Sequence, residues 1–350
     1  MASLRIILTG VGNIGRTFLE VVEARRERLR SRYGLTLVPV GLADASGTAA
    51  DPSGLDVGAA VALKRQRRSV AALPGVGRPG QTALELLRTT EADLLIEATP
   101  TDPAGGQPGL DLVRAALRRG TSAVLASKGP LVVAYAELAA ISDLSEGAGD
   151  RAPCLRFSGA VGGALPSVNL GWRDLAGGEI TRIEAVLNGT TQRILGLRAR
   201  GASAAEALAE AQRIGIAEPD PTLDVDGWDA ACKLVILANA VLRRPVGLAD
   251  VSVRGIGEVE DAALRAAAAS GGRVSLVALA DRREDGSYEL SVRPTTLAAG
   301  HPLARLGLDE LGIVYHSDIA GRTAATSLEE GPIGTVAAML RDVIEVARRG

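Results

Sequence analysis

Lysine occurs three times in this 350-residue chain, at Lys64, Lys128 and Lys233, whereas the other thirty-six of its thirty-nine basic residues are arginine. A guanidinium stays charged at any working pH. An ammonium can lose its proton once desolvated or set beside another cation, so of the two only lysine can serve as a general acid or base. Lys233 closes a run that starts at Glu218, in which five carboxylates precede it and Asp229 stands four residues upstream, one helical turn away on the same face. As an exposed helix ion pair that spacing is worth only ~0.3–0.5 kcal/mol. As chemistry it sets a carboxylate beside a candidate proton donor.

A second constellation lies near the N-terminus. Gly10-Val11-Gly12-Asn13-Ile14-Gly15 directly follows an apolar run and opens an amphipathic one, the setting a dinucleotide-binding fingerprint requires. Gly10 would make the tight turn, Gly12 would let a pyrophosphate approach the backbone, and Gly15 would let helix and strand pack closely, with the helix N-terminus receiving the phosphates. The plainer alternative is a glycine-rich turn without a ligand. Asp44, after the second strand, is placed to accept ribose hydroxyls and so favours NAD. Lys64, with Arg65, Arg67 and Arg68, could instead meet the 2′-phosphate of NADP or form an ordinary solvated loop, and the cofactor preference stays open at this level.

These residues need a scaffold, and the chain spells one out. Apolar strands at 4–9, 36–43, 93–98 and 122–126 alternate with helical patterns at 13–32, 110–119 and 134–141, with a polar connection between 44 and 93. That order predicts an α/β domain of the Rossmann type, a doubly wound parallel sheet covered on both faces, over residues 1–150. A Gly, Asp and Pro-rich linker is expected at 146–153. Beyond it, strands at 179–187, 273–280, 288–293 and 313–316 mix with helices at 190–200, 203–214 and 227–242, which predicts an α+β domain for catalysis and dimerisation over 151–330. The last helix, 335–348, is too isolated to be a domain, so the segment 331–350 is expected to pack back on the first one.

Composition narrows the functions. A formal charge of −2 argues against binding a phosphate backbone, and no run of 18 apolar residues is present to span a membrane. Cys154 and Cys232 with His301 and His316 are too few and too scattered for a disulfide framework or a zinc site, which suits a reducing cytoplasm. The two histidines are read as structural, Trp172 and Trp228 as core or interface anchors, and Cys232 as a small buried residue.

Four further stretches carry a resemblance: Thr99–Gly109, Ala126–Leu131, Asn188–Leu195 and above all Glu210–Asn239. Together they resemble homoserine dehydrogenase over nearly the whole chain. That family interconverts aspartate 4-semialdehyde and homoserine with NAD or NADP, in the biosynthesis of threonine, methionine and isoleucine. A chain ending near residue 350 resembles the short form, without an ACT or aspartate kinase domain. The resemblance implies Lys233 and Lys128 as the two catalytic lysines, and Glu218 and Asp229 at the substrate's amino end. It implies Asn188, Gly189 and Thr190 at the substrate-side loop, with a plain helix N-cap as the alternative. Thr99, Pro100 and Lys128 would join the cofactor site, and Gly331 would belong to a loop that covers the cofactor. Residues 158–166 lie where the family binds a monovalent cation, Na+ or K+, partly through backbone carbonyls. Here Ser158 replaces the family's glutamate and Ala164 its third glycine, leaving Val161 and Gly163 as backbone ligands. A homodimer joined through second-domain strands is implied as well.

Two rivals make different demands. Another Rossmann-type amino-acid dehydrogenase would keep the glycine loop but need not keep Glu218, Asp229 and Lys233 together. A dinucleotide-sensing regulator that had lost catalysis would be expected to lack one of the two lysines.

Overall fold

The period of the helix after the glycine loop shows how the first layer forms. Gly15, Phe18, Leu19 and Val22 of the Asn13–Ala24 helix are buried on one stripe, against strands whose inner residues Ile6 and Leu8 are fully buried. A computed structural model of the protein describes residues 2–349. It divides into two compact units, Met1–Gly163 with Thr335–Gly350, and Ala164–Gly334.

The first unit is a seven-stranded sheet. Its strands are β1 (Ala2–Thr9), β2 (Leu35–Asp44), β3 (Gly47–Ala50), β4 (Gly77–Pro79), β5 (Leu94–Glu97), β6 (Ser122–Leu125) and β7 (Leu155–Arg156), in the spatial order β4-β3-β2-β1-β5-β6-β7. β2, β1, β5, β6 and β7 run parallel, while β3 and β4 extend the edge antiparallel. The chain winds one way from β1 to β2 and the other way to β5. The switch point of this doubly wound sheet therefore lies between the C-terminal ends of β1 and β5, where such sheets bind ligands. The final helix, Ile333–Arg349, sends Val336, Met339, Val343 and Val346 into this core.

Several sequence expectations need correction here. The helix expected over 13–32 breaks at Arg25 into Asn13–Ala24 and Arg26–Tyr33, because the second half buries only Leu29. The polar connection between 44 and 93 contains β3, β4 and the helices Val57–Arg65 and Ala83–Thr89. The helix expected from 134 starts at Gly129 with proline in its first turn, where a missing N–H costs nothing. The domain boundary falls at 163/164 and not at 150/151. β7 still pairs with β6, and buried Arg156 binds Asp143 at 2.7 Å and Glu345 of the last helix at 2.8 Å.

The second unit is built on a six-stranded sheet of β8 (Ile180–Val186), β9 (Val251–Val253), β10 (Arg273–Arg282), β11 (Tyr288–Leu297), β12 (Glu310–Ser317) and β13 (Gly321–Leu328), in the order β13-β12-β8-β10-β11-β9. All pairs are antiparallel except β9 with β11. The helices Gly189–Ala199 and Trp228–Ala240 pack on β10. β9, β13 and the Asp261–Ala269 helix go beyond the elements read from the sequence. Trp228 is 39% exposed and so is not a core anchor. His301 and His316 both meet buried Glu184, at 3.3 and 3.0 Å, which suits their structural reading. Cys154 and Cys232 are free and buried. Among the described residues no helix is long and apolar enough to cross a membrane, and no group of three His, Cys, Asp or Glu could hold a metal ion.

Candidate active site

In the first unit Gly10 and Gly15 have the tight backbone geometry their spacing assigns. Gly10 adopts φ +81°, and a Cβ there would collide with the Ala98 carbonyl. A Cβ at Gly15 would strike the Gly10 carbonyl, so that glycine lets the helix close on the strand. Gly12 is the helix N-cap, has open space around its Cβ position and supplies no side-chain cap. The first N–H groups of the helix, at Asn13, Ile14 and Gly15, thus have no side chain competing with a phosphate for them.

Asp44 and Lys64, expected to pull cofactor choice in opposite directions, are paired with each other. Lys64 Nζ lies 2.7 Å from Asp44 Oδ2. Asp44 also accepts from Ser69 Oγ at 2.7 Å, Val70 N at 3.0 Å and Ser46 N at 3.0 Å. Burial pushes this carboxyl up, but the four hydrogen bonds together outweigh it and hold it below the usual carboxylate range. A carboxylate has about four lone-pair sites, and all four here are taken by the protein.

At the C-terminal ends of β5 and β6 the Thr99–Pro100 and Ser127–Lys128 turns come together. Lys128 N donates to Thr101 Oγ1 at 3.3 Å, and both Thr99 and Ser127 bond Glu97, which is fully buried. Val161 and Gly163 are buried at the end of this unit, where Ser158 donates its amide and hydroxyl to Asp342 at 2.7 Å each. Gly331 belongs to the second unit, in the turn before the last helix, with φ +64°.

In the second unit, ten of the thirteen residues of the Trp228–Ala240 helix are buried, and the remaining three are Trp228, Asp229 and Lys233. This is not a solvated helix face. Lys233 is 12% exposed and Asp229 16%, and their side chains meet at 2.6 Å. Lys233 Nζ also donates to the Leu187 carbonyl at 2.6 Å, just past the end of β8. Asn188, the next residue, divides its amide between two jobs. Its Oδ1 caps the 189–199 helix by accepting Thr191 N at 2.8 Å, and its Nδ2 donates to Asp229 at 2.9 Å and Asp224 at 2.6 Å. The helix N-cap reading of Asn188 therefore holds, and the same side chain joins the row around Lys233. Thr190 is buried and donates to the Ile216 carbonyl at 3.2 Å, while Gly189 has open space around its Cβ position.

The result is a hydrogen-bonded row, Asp224–Asn188–Asp229–Lys233, with two carboxyls to one ammonium. Burial, and then the charge of Asp229, push the Asp224 carboxyl up, against hydrogen bonds from Asn188 and Thr190.

The matched segments agree with this geometry. Residues 166–344 match the family model described as homoserine dehydrogenase. The chain is 32% identical to the NAD(+)-dependent homoserine dehydrogenase of Pseudomonas canavaninivorans, over 99% of this chain and 97% of that protein. It is 33% identical to the homoserine dehydrogenase of Methanocaldococcus jannaschii, over 97% and 98% of the two. The crystal structure of a homoserine dehydrogenase from Thiobacillus denitrificans aligns with a TM-score of 0.82 at 26% identity, over 99% of this chain and 74% of that one.

The chain belongs to the homoserine dehydrogenase family.

Within this member of the homoserine dehydrogenase family, Glu218 lies outside the hydrogen-bonded row around Lys233. It is exposed on the loop before the Thr222–Val225 helix and lends its backbone carbonyl to Gln212, while the row around Lys233 is assembled without its carboxylate. Two residues that sequence reasoning did not single out are Asp224 and Glu97. Asp224 was visible as a member of the acidic run, but its partner Asn188 is 36 residues away. Glu97 carried a fainter signal, a charged residue closing an otherwise apolar strand.

Proposed function

We propose that this chain interconverts L-aspartate 4-semialdehyde and L-homoserine with NAD or NADP. The observation that carries the reading is Lys233, desolvated and fixed at 2.6 Å by both Asp229 and the Leu187 carbonyl. An ammonium has three donors, and these two partners leave one for a substrate oxygen. In the reducing direction Lys233 Nζ gives its proton to the carbonyl oxygen as negative charge develops there, and in the oxidising direction it takes the hydroxyl proton back. Lys128 is proposed as the second catalytic lysine.

The cradle formed by Gly10, Gly12 and Gly15 suits a dinucleotide pyrophosphate, with Asn13 and Ile14 offering backbone N–H groups and Thr99 and Pro100 at the neighbouring strand end. The nicotinamide, when bound, supplies or accepts the hydride. Asp44 has no lone pair left for a ribose hydroxyl, so it gives no preference for NAD. Either cofactor fits this account.

Asp224 and Asp229 together exceed Lys233 by one negative charge when both are ionised, which favours the substrate's α-ammonium. The backbone N–H groups of Gly189 and Thr190, at a helix N-terminus, suit its carboxylate. Backbone carbonyls of Val161 and Gly163 are the proposed ligands of Na+ or K+, a reading that activity unchanged in choline buffer would contradict. Assembly as a homodimer through second-unit strands rests on β13, which is paired on one side only, and sedimentation would test it.

The deciding assay is absorbance at 340 nm with L-homoserine and each nicotinamide cofactor. Turnover with at least one is expected. Folded protein that binds a dinucleotide yet turns over with neither would favour the sensing regulator.

A further inference from the structure

Burying a carboxyl is costly, and the first unit buries one at the switch point of its sheet. Glu97 ends β5 and is 0% exposed. Burial pushes its carboxyl up, against hydrogen bonds from Ser127 and Thr99. A leucine or methionine of similar size would avoid that cost, so the reason for an acid here must lie in its bonds.

Those bonds run in one direction. Glu97 Oε1 accepts the Thr99 N–H at 2.7 Å and the Thr99 hydroxyl, which anchors the carboxyl to the end of its own strand. Oε2 takes the hydroxyl of Ser127, thirty residues further along in the turn after β6. The next residue is Lys128, whose backbone N–H donates to Thr101 Oγ1 at 3.3 Å. Lys128 then caps the Gly129–Ala140 helix. Two ties, Glu97–Ser127 and Thr101–Lys128, thus join the turn after β5 to the turn after β6. The surroundings leave little slack. A Cβ at Gly109 would stand 3.2 Å from Glu97 Cδ, and one at Gly129 would stand 2.6 Å from the Asp102 carbonyl oxygen.

We propose that Glu97 is the positioning residue for Lys128: it ties Ser127 to the end of β5 and so fixes the lysine that follows at the C-terminal edge of the parallel sheet. The inference rests on the reading of Lys128 as a residue of the reaction.

The test is a double-mutant cycle on homoserine oxidation with the parent, Glu97→Ala, Lys128→Ala and the double variant, each checked for fold by thermal melting and for NADPH binding. Glu97→Ala should lower kcat roughly 10–10²-fold in the parent and no more than about twofold in the Lys128→Ala background, since the group it positions is then gone. A role confined to stability would give the same loss in both backgrounds, and that result, or a parent-like kcat for folded Glu97→Ala, overturns the proposal. Glu97→Gln should recover most of the loss, because its amide oxygen can accept from Thr99 and its NH2 can donate to Ser127 Oγ. Should Glu97→Ala fail to fold, Ser127→Ala carries the same cycle. It should lose roughly 3–10-fold in the parent and nothing without Lys128, with equal losses or none contradicting the proposal. If the parent itself does not turn over homoserine, it is the functional reading that has failed. The cycle is then read on NADPH dissociation constants, where coupled losses support the tie and independent ones overturn it.

Discussion

Two of the three lysines sit in near-identical pairs. Lys64 meets Asp44 at 2.7 Å with 18% and 9% of the two side chains exposed, and Lys233 meets Asp229 at 2.6 Å with 12% and 16% exposed. Distance and burial do not separate them. What differs is which group the protein holds. Asp44 accepts from Lys64, Ser69, Val70 and Ser46, so its carboxylate is closed and ties the end of β2 to the segment after the 57–65 helix, while Lys64 is held through Asp44. In the second pair the ammonium is held from two sides, by Asp229 and the Leu187 carbonyl, and Asp229 Oδ2 is shared between Lys233 and Asn188. A carboxylate whose lone-pair sites are all filled by the protein is architecture. An ammonium fixed by two partners, with its third donor left for a substrate oxygen, is the arrangement proton transfer would use.

The comparison can be broken at either pair. The largest expected change in stability is at the closed one. Asp44→Ala leaves a buried ammonium and three other donors unpaired, which should cost about 3–5 kcal/mol in urea denaturation and weaken NAD and NADP alike. A selective loss of NAD binding would mean that Asp44 touches the ribose after all. Because the folded carboxyl is held below its usual range, the stability it contributes is present above the unfolded-state pKa and is lost as pH falls through the folded one.

At the open pair, Asp224→Asn keeps shape and removes charge. Loss of a charge-assisted bond to the substrate ammonium should raise the homoserine KM roughly 10-fold or more with kcat little changed. Asp224 is pushed up, so its anion is lost at a higher pH than an ordinary carboxylate's, and the parent's KM should climb as pH falls while that of the variant stays flat. A flat profile in the parent would remove Asp224 from the substrate site.

The smallest effect concerns a third carboxyl, shifted in the opposite direction to Asp44. Burial raises Asp342 to about 6. Its protonated form is favoured by the fold, so its contribution is full below the unfolded-state pKa and is lost as pH rises through about 6. Asp342→Asn can keep both Ser158 bonds, and should gain on the order of 1 kcal/mol over the parent at pH 7.5, with the gain gone near pH 4. A loss of stability at pH 7.5 would mean that the charge itself is needed.

Much of this was legible in the sequence where the constraint is local. The glycine loop could be read because each glycine answers to backbone within a few residues or to the adjacent strand, and Asp229 with Lys233 because a helix brings i and i+4 together. The rest depended on distant partners. Nothing near Asp44 announces Ser69 or Val70, and nothing near Asp224 announces Asn188. The 44–93 segment read as a connection because β3 and β4 are only four and three residues long, although the Thr82–Glu85 capping box was a usable sign of a helix. β13 was missed because its small Thr, Ala and Ser side chains leave little apolar alternation to see. Glu218 reads as a substrate residue by motif alone, since its exposed side chain has no part in the row around Lys233.

The central claim is that Lys233 is kept for an exchangeable proton and Lys64 for a fixed charge. Arginine preserves charge and most of the length but cannot give up a proton. The direct test is therefore to measure kcat for homoserine oxidation with Lys233→Arg and Lys64→Arg side by side. Lys233→Arg should fall roughly 10²–10⁴-fold with dinucleotide affinity nearly unchanged, and Lys64→Arg should stay within about threefold of the parent. Parent-like turnover in Lys233→Arg would contradict the account, because it would show that both pairs need only charge.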